Sequence, residues 1–273
     1  MLLVRPTFFL LLLSTLLLAS CSGYQKLLKS TDANKKYAAA LQYYEKGDFV
    51  RAGTLLEDVL PLLKGRPEAE KAQFYFANTN YKQRNYTLSS YYFQSFYDTY
   101  PNSQYAEEAM FLHAKSLFLD SPGFELDQTN TYTALESIQE FLNRYSSSNF
   151  RPEAEKMSTE LTKKLESKAF ESARLYYQLR YYQSAVVALN GFQQQYPASV
   201  YNEQADFLKV QAQYNLARES VEERQRERYL ETIAYYQHFL DTYPQSKNLK
   251  EAEQMYIDSR AQVEKMKPAS ASN

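Results

Sequence analysis

A short phrase built on tyrosine, proline and serine recurs along the chain and constrains the fold more than any other feature. It reads Asp-Thr-Tyr-Pro-Asn-Ser at 98–103, Gln-Gln-Tyr-Pro-Ala-Ser at 194–199 and Asp-Thr-Tyr-Pro-Gln-Ser at 241–246, with a weaker copy, Asn-Arg-Tyr-Ser-Ser-Ser, at 143–148. Proline ends a helix because it cannot continue the backbone hydrogen-bond ladder. Acidic, alanine-containing segments follow the phrases. Their glutamates favour the positive first turn of a new helix, and a serine or asparagine before them is expected to cap that helix. The pattern predicts an all-α chain of repeated helix pairs.

The second helix of each predicted pair repeats its own spacing. A small residue recurs where two helices must approach closely, and larger apolar residues follow it at intervals of three to four. The small residues are Ala52, Ser89, Ala134, Ala185 and Thr232, and the larger ones are Leu56, Phe93, Phe96, Ile138, Phe141, Leu189, Phe192, Tyr236 and Phe239. This spacing resembles that of tetratricopeptide repeats. We therefore expect a helical solenoid of about five pairs, in which many of the 26 tyrosines are core residues.

Two predicted repeats carry inserts between their helices. Residues 120–130 contain Ser-Pro-Gly and are expected to form a loop, whereas the charged residues 218–228 are expected to form a solvated helical extension. We divide the repeats into an N-terminal set at 33–166 and a C-terminal set at 167–265, with a disordered tail at 266–273.

The first twenty residues have the features of a secretory signal. One positive charge, Arg5, precedes an apolar run over 8–18 that ends in small residues. The following Leu-Ala-Ser-Cys, at 18–21, resembles the lipobox of bacterial lipoproteins, and Cys21 is the only cysteine in the chain. The resemblance implies cleavage before Cys21, acylation of that residue, and a lipid-anchored segment at 21–32. Several acyl chains would hold the protein on a membrane stably. The alternative is a lone buried cysteine in a secreted protein.

The residues after Cys21 bear on localisation. No aspartate follows the cysteine directly, and no acidic run is present there. By resemblance to lipoprotein sorting patterns, we expect the protein at the periplasmic face of the outer membrane.

Composition argues against several classes of function. Six glycines, with neither a GxGxxG nor a P-loop pattern, argue against nucleotide cofactors. The 31 basic and 32 acidic residues give a net charge of −1, which offers no electrostatic footprint for nucleic acid. The two histidines lie far apart in sequence, and no Cys/His pair has the spacing of a metal site or a nucleophile and its base. We expect an interaction protein with no cofactor, no metal and no catalytic residues.

A lipobox followed by about five such repeats, with Tyr-Pro-x-Ser corners, resembles the BamD family, the lipoproteins of the outer-membrane β-barrel assembly complex. The likeness is closest to members from Bacteroidetes: residues 21–30 look like their mature start, and the insert in the third repeat, followed by Thr-Ala-Leu at 133–135, is a family trait. The resemblance covers residues 21–265. It implies a non-catalytic scaffold whose C-terminal repeats bind the barrel-forming partner BamA. Its N-terminal repeats would meet the last strand of incoming barrel precursors.

In repeats of this kind the first helix of each pair lines a concave face, and here that face would be rich in aromatic residues. The expected lining residues are Tyr37, Leu41, Tyr44, Phe74, Asn78, Tyr81, Phe111 and Lys115. Such a surface suits an extended peptide with alternate apolar side chains, and Lys82 or Lys115 is a candidate to meet a C-terminal carboxylate. The alternative is that several of these residues pack against the second helices.

Three other interpretations remain open from the sequence. The nearest is a different periplasmic repeat lipoprotein, such as a cell-division or envelope-integrity scaffold. Co-purification with a barrel-assembly protein would distinguish the BamD-like interpretation from this one. A SusD-like glycan-binding lipoprotein would be much longer and would use tryptophan to stack sugars, and this chain has no tryptophan. A hydrolase would need a nucleophile–base pattern, and we find none.

Overall fold

The computed structural model describes residues 23–266; Cys21, the predicted signal at 1–20 and residues 267–273 of the predicted tail lie outside the described residues. A short helical stretch at 23–28 comes first, and no strand occurs between residues 23 and 266. Eleven α-helices follow: α1 (Ala33–Glu45), α2 (Phe49–Val59), α3 (Glu68–Lys82), α4 (Tyr86–Thr99), α5 (Ala106–Asp120), α6 (Thr129–Arg144), α7 (Arg151–Gln178), α8 (Tyr182–Gln195), α9 (Asn202–Arg218), α10 (Glu222–Thr242) and α11 (Leu249–Lys265). A 3₁₀ turn, Leu60–Leu63, extends α2.

The helices form five successive pairs, from α1 with α2 to α9 with α10, and α11 packs on α10. All five small residues of the second helices are fully buried, as their predicted role in close helix approach requires. The larger residues that follow them are also buried, among them Phe93, Ile138 and Leu189. The predicted all-α tetratricopeptide-repeat fold of about five helical pairs is confirmed.

The chain divides into two compact units, which meet in sequence between Leu161 and Thr162, inside α7. The core of the N-terminal unit combines α3 to α6 with the first part of α7, where Met157 and Leu161 are buried. A second cluster in that unit joins α1, α2 and α3. In the C-terminal unit, Phe170 of α7 packs on Phe192 of α8, with ring centroids 5.5 Å apart.

The serines of the recurrent phrases hold the turns between pairs. The backbone N–H two residues later donates to each serine oxygen, at 3.0 Å for Ser103, 3.0 Å for Ser199 and 3.1 Å for Ser246. The helices begin later: their N-caps are Tyr105, Tyr201 and Asn248, and these make no side-chain capping bond. The prediction that serine or asparagine caps the next helix is therefore wrong for the serines, because each lies two residues too early and closes the preceding turn instead; at α11 an asparagine does hold the N-cap position, but without a side-chain bond.

The same serines also tie each pair together. Ser103 donates to Glu70 and Ser199 donates to Glu166, while Ser246 donates to Glu203 at 2.7 Å. Each glutamate lies on the first helix of the pair that its serine ends: Glu70 and Glu203 near the starts of α3 and α9, and Glu166 in the middle of the long α7. The contact therefore fixes the end of each of these helix pairs to its own first helix.

Both inserts adopt the predicted kinds of structure. Residues 121–128 form an irregular loop, in which the buried Gln128 amide donates to the carbonyls of Gly123 at 2.7 Å and Leu126 at 2.9 Å. The charged insert becomes the helical start of α10, where Arg224 pairs with Glu227 at 3.2 Å on an exposed surface.

Candidate functional site: the first-helix face of the N-terminal unit

The first helices of the three N-terminal pairs, α1, α3 and α5, together present what we call the first-helix face. Tyr44 of α1 meets Tyr75 of α3 edge-on, with ring centroids 4.5 Å apart, and Lys71 lies 5.4 Å from the centre of the Tyr75 ring. The tyrosine rings are partly exposed. Burial raises the pKa of Tyr44 to about 12, with further contributions from Tyr75 and Glu108. Its hydroxyl is therefore protonated at neutral pH and can donate a hydrogen bond.

A polar chain crosses the same face from α3 to α7. Lys115 Nζ contacts Glu153 Oε1 at 2.7 Å, hydrogen-bonds to Tyr81 and lies 5.5 Å from the centre of the Phe111 ring. Burial alone would lower the pKa of Lys115, but the contacts with Glu153 and Tyr81 outweigh it and raise the pKa. The ammonium is thus charged and already has a carboxylate partner.

Two further titratable groups, Glu108 of α5 and Tyr37 of α1, have raised pKa values. Burial raises the pKa of Glu108, and the nearby charge of Lys82 opposes that rise. Lys82 itself is exposed. Burial also raises the pKa of Tyr37, with smaller contributions from Glu68, Tyr105 and Tyr75. Tyr37 of α1 thus lies close enough to Glu68 and Tyr75 of α3, and to Tyr105 just before α5, to interact with them electrostatically.

Three of the predicted lining residues, Phe74, Phe111 and Asn78, are buried, and the two phenylalanines are core residues. Phe74 is 4 % exposed and stacks on Tyr105 at 4.7 Å, and Phe111 is 2 % exposed and stacks on Phe150 at 4.5 Å. Phe111 also meets Phe141 of the second helix. The prediction that Phe74 and Phe111 line an open groove is wrong, because their helix positions point between neighbouring helices, where an aromatic ring removes more apolar surface from water.

Asn78 lies on α3 between Tyr75 and Tyr81 in sequence, and its burial makes the prediction that it lines an open groove wrong as well. It is 7 % exposed, and its Oδ1 has no hydrogen-bond partner among residues 23–266. A buried amide oxygen left in this state costs about 1–3 kcal/mol. Among the other predicted lining residues, Tyr37, Leu41, Tyr44, Tyr81 and Lys115 are partly exposed.

Sequence reasoning missed two residues of this face, Tyr75 and Glu108, and two residues next to it, Tyr105 just before α5 and Glu153 of α7. Tyr75 follows the predicted Phe74 by one residue, and one residue rotates a side chain by about 100° around a helix. A wider stripe on each first helix would have included Tyr75 and Glu108.

Other kinds of site were sought in the described part of the chain. Between residues 23 and 266, no cluster of three or more His, Cys, Asp or Glu side chains could hold a metal ion. No helix in that range has both the length and the apolar character needed to cross a membrane. His113 is a core residue whose Nδ1–H donates to the Ser90 carbonyl at 2.8 Å, and burial lowers its pKa.

Solved structures with a similar helical arrangement include the TPR domain of P58(IPK), which is 14 % identical, with a TM-score of 0.40 over 90 % of this chain and 64 % of that one. Another is human IFIT1, which is 16 % identical, with a TM-score of 0.29 over 83 % of this chain and 56 % of that one. At these TM-scores nothing about function follows.

A curated relative is described as "Putative outer membrane protein assembly factor BamD" from Aquifex aeolicus (strain VF5). It is 27 % identical over 179 residues, which cover 65 % of this chain and 58 % of the relative. The chain thus matches less than two thirds of that relative's length. The model of the YfiO family, described as "Outer membrane lipoprotein", matches residues 29–230. Because that match covers most of the chain, the protein belongs to the YfiO family of outer membrane lipoproteins.

Proposed function

We propose that this protein is a non-catalytic scaffold lipoprotein of outer-membrane β-barrel assembly, held at the periplasmic face of the membrane by an acylated Cys21. Membership in an outer membrane lipoprotein family supports the location, and the lipobox at 18–21 supports the anchor. The assembly role rests on the description of the curated relative and on the resemblance of the repeats and corners to the BamD family.

The N-terminal unit is proposed to bind barrel precursors through the first-helix face. The observation that carries this proposal is the row of partly exposed tyrosines, Tyr44, Tyr75 and Tyr81, on adjacent first helices. Tyrosines supply large contact area at low entropic cost, and their protonated hydroxyls can donate to a peptide backbone. An extended strand with alternate apolar side chains would use both the rings and the hydroxyls.

The two candidate lysines differ in how accessible they are to a peptide carboxylate, since Lys82 is exposed and Lys115 is already paired. Lys115 is paired with Glu153 at 2.7 Å, so a peptide carboxylate must displace Glu153 before it can bind there. Glu153→Gln removes that competitor while keeping the side-chain length. We therefore expect Glu153→Gln to strengthen binding of a precursor peptide with a free C-terminal carboxylate and to leave binding of the amidated peptide unchanged. Equal gains for both peptides would exclude Lys115 as the carboxylate partner.

The precursor role is tested by titrating a peptide from the last strand of a barrel against wild type and Tyr81→Ala. If Tyr81 is an anchor, its truncation weakens binding by about 1–2 kcal/mol. Tyr132→Ala is the matched control, since Tyr132 is 52 % exposed on α6, outside this face. Thermal melts accompany the titrations. Unchanged affinity together with a large drop in melting temperature would show that Tyr81 is a core residue and that the face does not bind precursor.

The C-terminal unit is proposed to bind a BamA-like barrel protein, by resemblance to the family. Large apolar side chains remain exposed around the turn between α7 and α8, among them Leu179 at 54 % and Tyr181 at 61 %. Exposed apolar and aromatic side chains of this kind are common anchors at protein interfaces. Leu179→Asp should reduce capture of the barrel protein, whereas Leu126→Asp, on the exposed loop of the N-terminal unit, should not.

A further inference from the structure

The first described residues, 23–30, form a segment that we call the N-terminal strap. Residues 23–28 are helical, and Leu27 and Leu28 pack against the buried cluster of α1, α2 and α3. The Tyr24 ring meets the Tyr43 ring of α1 edge-on, with centroids 5.7 Å apart. The strap is therefore attached to the first helix pair by apolar contacts.

Arg51 of α2 closes this attachment. Its guanidinium carbon lies 5.4 Å from the centre of the Tyr24 ring and 5.6 Å from that of Tyr43, so one cation contacts both rings. Asp48 holds the guanidinium at 3.2 Å. We call Tyr24, Tyr43 and Arg51 the strap clamp.

Hydrogen bonds continue from the strap into α1. The Ser30 N–H donates to the Leu27 carbonyl at 3.1 Å, and the Asp32 N–H donates to Ser30 Oγ at 3.1 Å. Asp32 then caps α1 by accepting from the Lys35 N–H at 3.0 Å. The backbone from Leu27 onward is thus fixed to the first repeat.

The strap begins very near Cys21. Three residues of fully extended chain span at most about 10–11 Å, which limits the distance from Cys21 to the clamped Tyr24. Residues 22–31 contain two charged residues, Lys26 and Lys29, and no acidic one. Both lysines are exposed. Anionic lipid headgroups attract such lysines over roughly one Debye length, about 8–10 Å at moderate salt.

We propose that the strap is a membrane-contact surface, in which the clamp fixes the backbone and Lys26 and Lys29 bind anionic phospholipid headgroups. The anchor then holds the first repeat against the bilayer at a defined height, instead of leaving it on a free leader. This inference rests on the acylation of Cys21 proposed above, and the two are tested separately.

The docked state of the strap is tested without any lipid, by hydrogen exchange on full-length Cys21→Ala protein. The Lys29 and Ser30 amides should exchange slowly, because both are hydrogen-bonded. Tyr24→Ala and, separately, Arg51→Gln should accelerate exchange of both amides by about tenfold or more. In these variants the strap can open locally without first breaking the contacts of the clamp. Tyr132→Ala should leave them unchanged. Fast exchange of both amides before any clamp substitution would overturn the proposal.

The lipid contact is tested in vesicles carrying nitroxide headgroups. The chain has no tryptophan, so Gln42→Trp places a unique fluorophore on α1. With anionic phospholipid present, the fluorophore should be quenched; the quenching should be lost in the Lys26→Gln/Lys29→Gln variant and at high salt. The Lys64→Gln/Lys156→Gln variant has the same change in charge elsewhere in the unit and should keep the quenching. Equal quenching in the two lysine variants would overturn the proposal.

Mass spectrometry of the purified protein separates the two claims. If Cys21 carries no acyl chain, the proposed anchor fails. The free thiol is then coupled to a maleimide lipid, and the same quenching comparison decides the strap proposal alone.

Discussion

The contact between Ser246 and Glu203 should contribute measurably to the stability of the C-terminal unit. Ser246 Oγ donates to Glu203 Oε1 at 2.7 Å and accepts from the Asn248 N–H at 3.1 Å, so Ser246→Ala removes both hydrogen bonds. A buried hydrogen bond to a charged group contributes about 1.5–3 kcal/mol. Both side chains here are only partly buried, and solvent screening lowers that contribution to about 1 kcal/mol. With the backbone contact included, we expect Ser246→Ala to lower the free energy of unfolding by about 1–2 kcal/mol.

A double-mutant cycle isolates the side-chain pair. Ser246→Ala, Glu203→Gln and the double variant are unfolded in urea, and circular dichroism follows the transition of the C-terminal unit. The coupling free energy should be about 0.5–1 kcal/mol. Ser148→Ala is the comparison, read from the transition of the N-terminal unit: Ser148 accepts from the Phe150 N–H at 3.0 Å and pairs with no carboxylate among residues 23–266, so the loss of stability should be smaller. A coupling below about 0.3 kcal/mol would refute the claim that the serine–glutamate contact closes the pair.

Three further predictions concern the anchor, the packing and the response to pH. Cys21→Ala should leave the protein uncut or soluble in the periplasm; a variant that still fractionates with the outer membrane would contradict the anchor. Ala185→Tyr should overpack the fully buried position on α8 and cost about 1–3 kcal/mol in urea unfolding, and no loss would mean that α8 does not pack closely there. Because burial lowers the pKa of His113, the unfolded chain takes up that proton at higher pH than the folded chain. Stability of the N-terminal unit should therefore fall as pH drops below about 6.5, His113→Gln should remove this dependence, and His238→Gln should keep it.

The helix pairs could be predicted because their signal is local and repeated. The intervals from Ser89 to Phe93 and from Ala185 to Leu189 are the same, and one turn of helix places each pair on one face. Proline at the corners then marks the ends of the helices. The structure buries all four of these residues. The repeated spacing therefore predicts the second helices without any knowledge of tertiary contacts.

The first-helix face could be predicted only in part, since a first helix packs on several neighbours. Phe74 and Tyr81 occupy the same stripe of α3, yet the structure buries the first and leaves the second partly exposed. Which of them is covered depends on Tyr105, just before α5, and Phe96 of α4, which lie elsewhere in the sequence. Sequence spacing alone does not encode that difference.

The serine–glutamate contacts were also missed, although a signal existed. Ser103 follows Glu70, and Ser199 follows Glu166, by the same 33 residues. A search for polar residues recurring at the repeat length would have paired them. The strap clamp has no such signal, because Tyr24 lies before the first repeat and meets Arg51 only through folding.

The central claim, that this protein is a scaffold of barrel assembly, is tested most directly by affinity capture of the acylated protein from detergent-solubilised outer membranes of the native cell. Mass spectrometry then identifies and quantifies the captured proteins, with the Leu179→Asp and Leu126→Asp variants in parallel. We predict that a BamA-like barrel protein is the most abundant partner, in near-stoichiometric amount, and that Leu179→Asp reduces its capture while Leu126→Asp does not. Capture of a cell-division or other envelope complex, with no barrel-assembly protein present, would contradict the account.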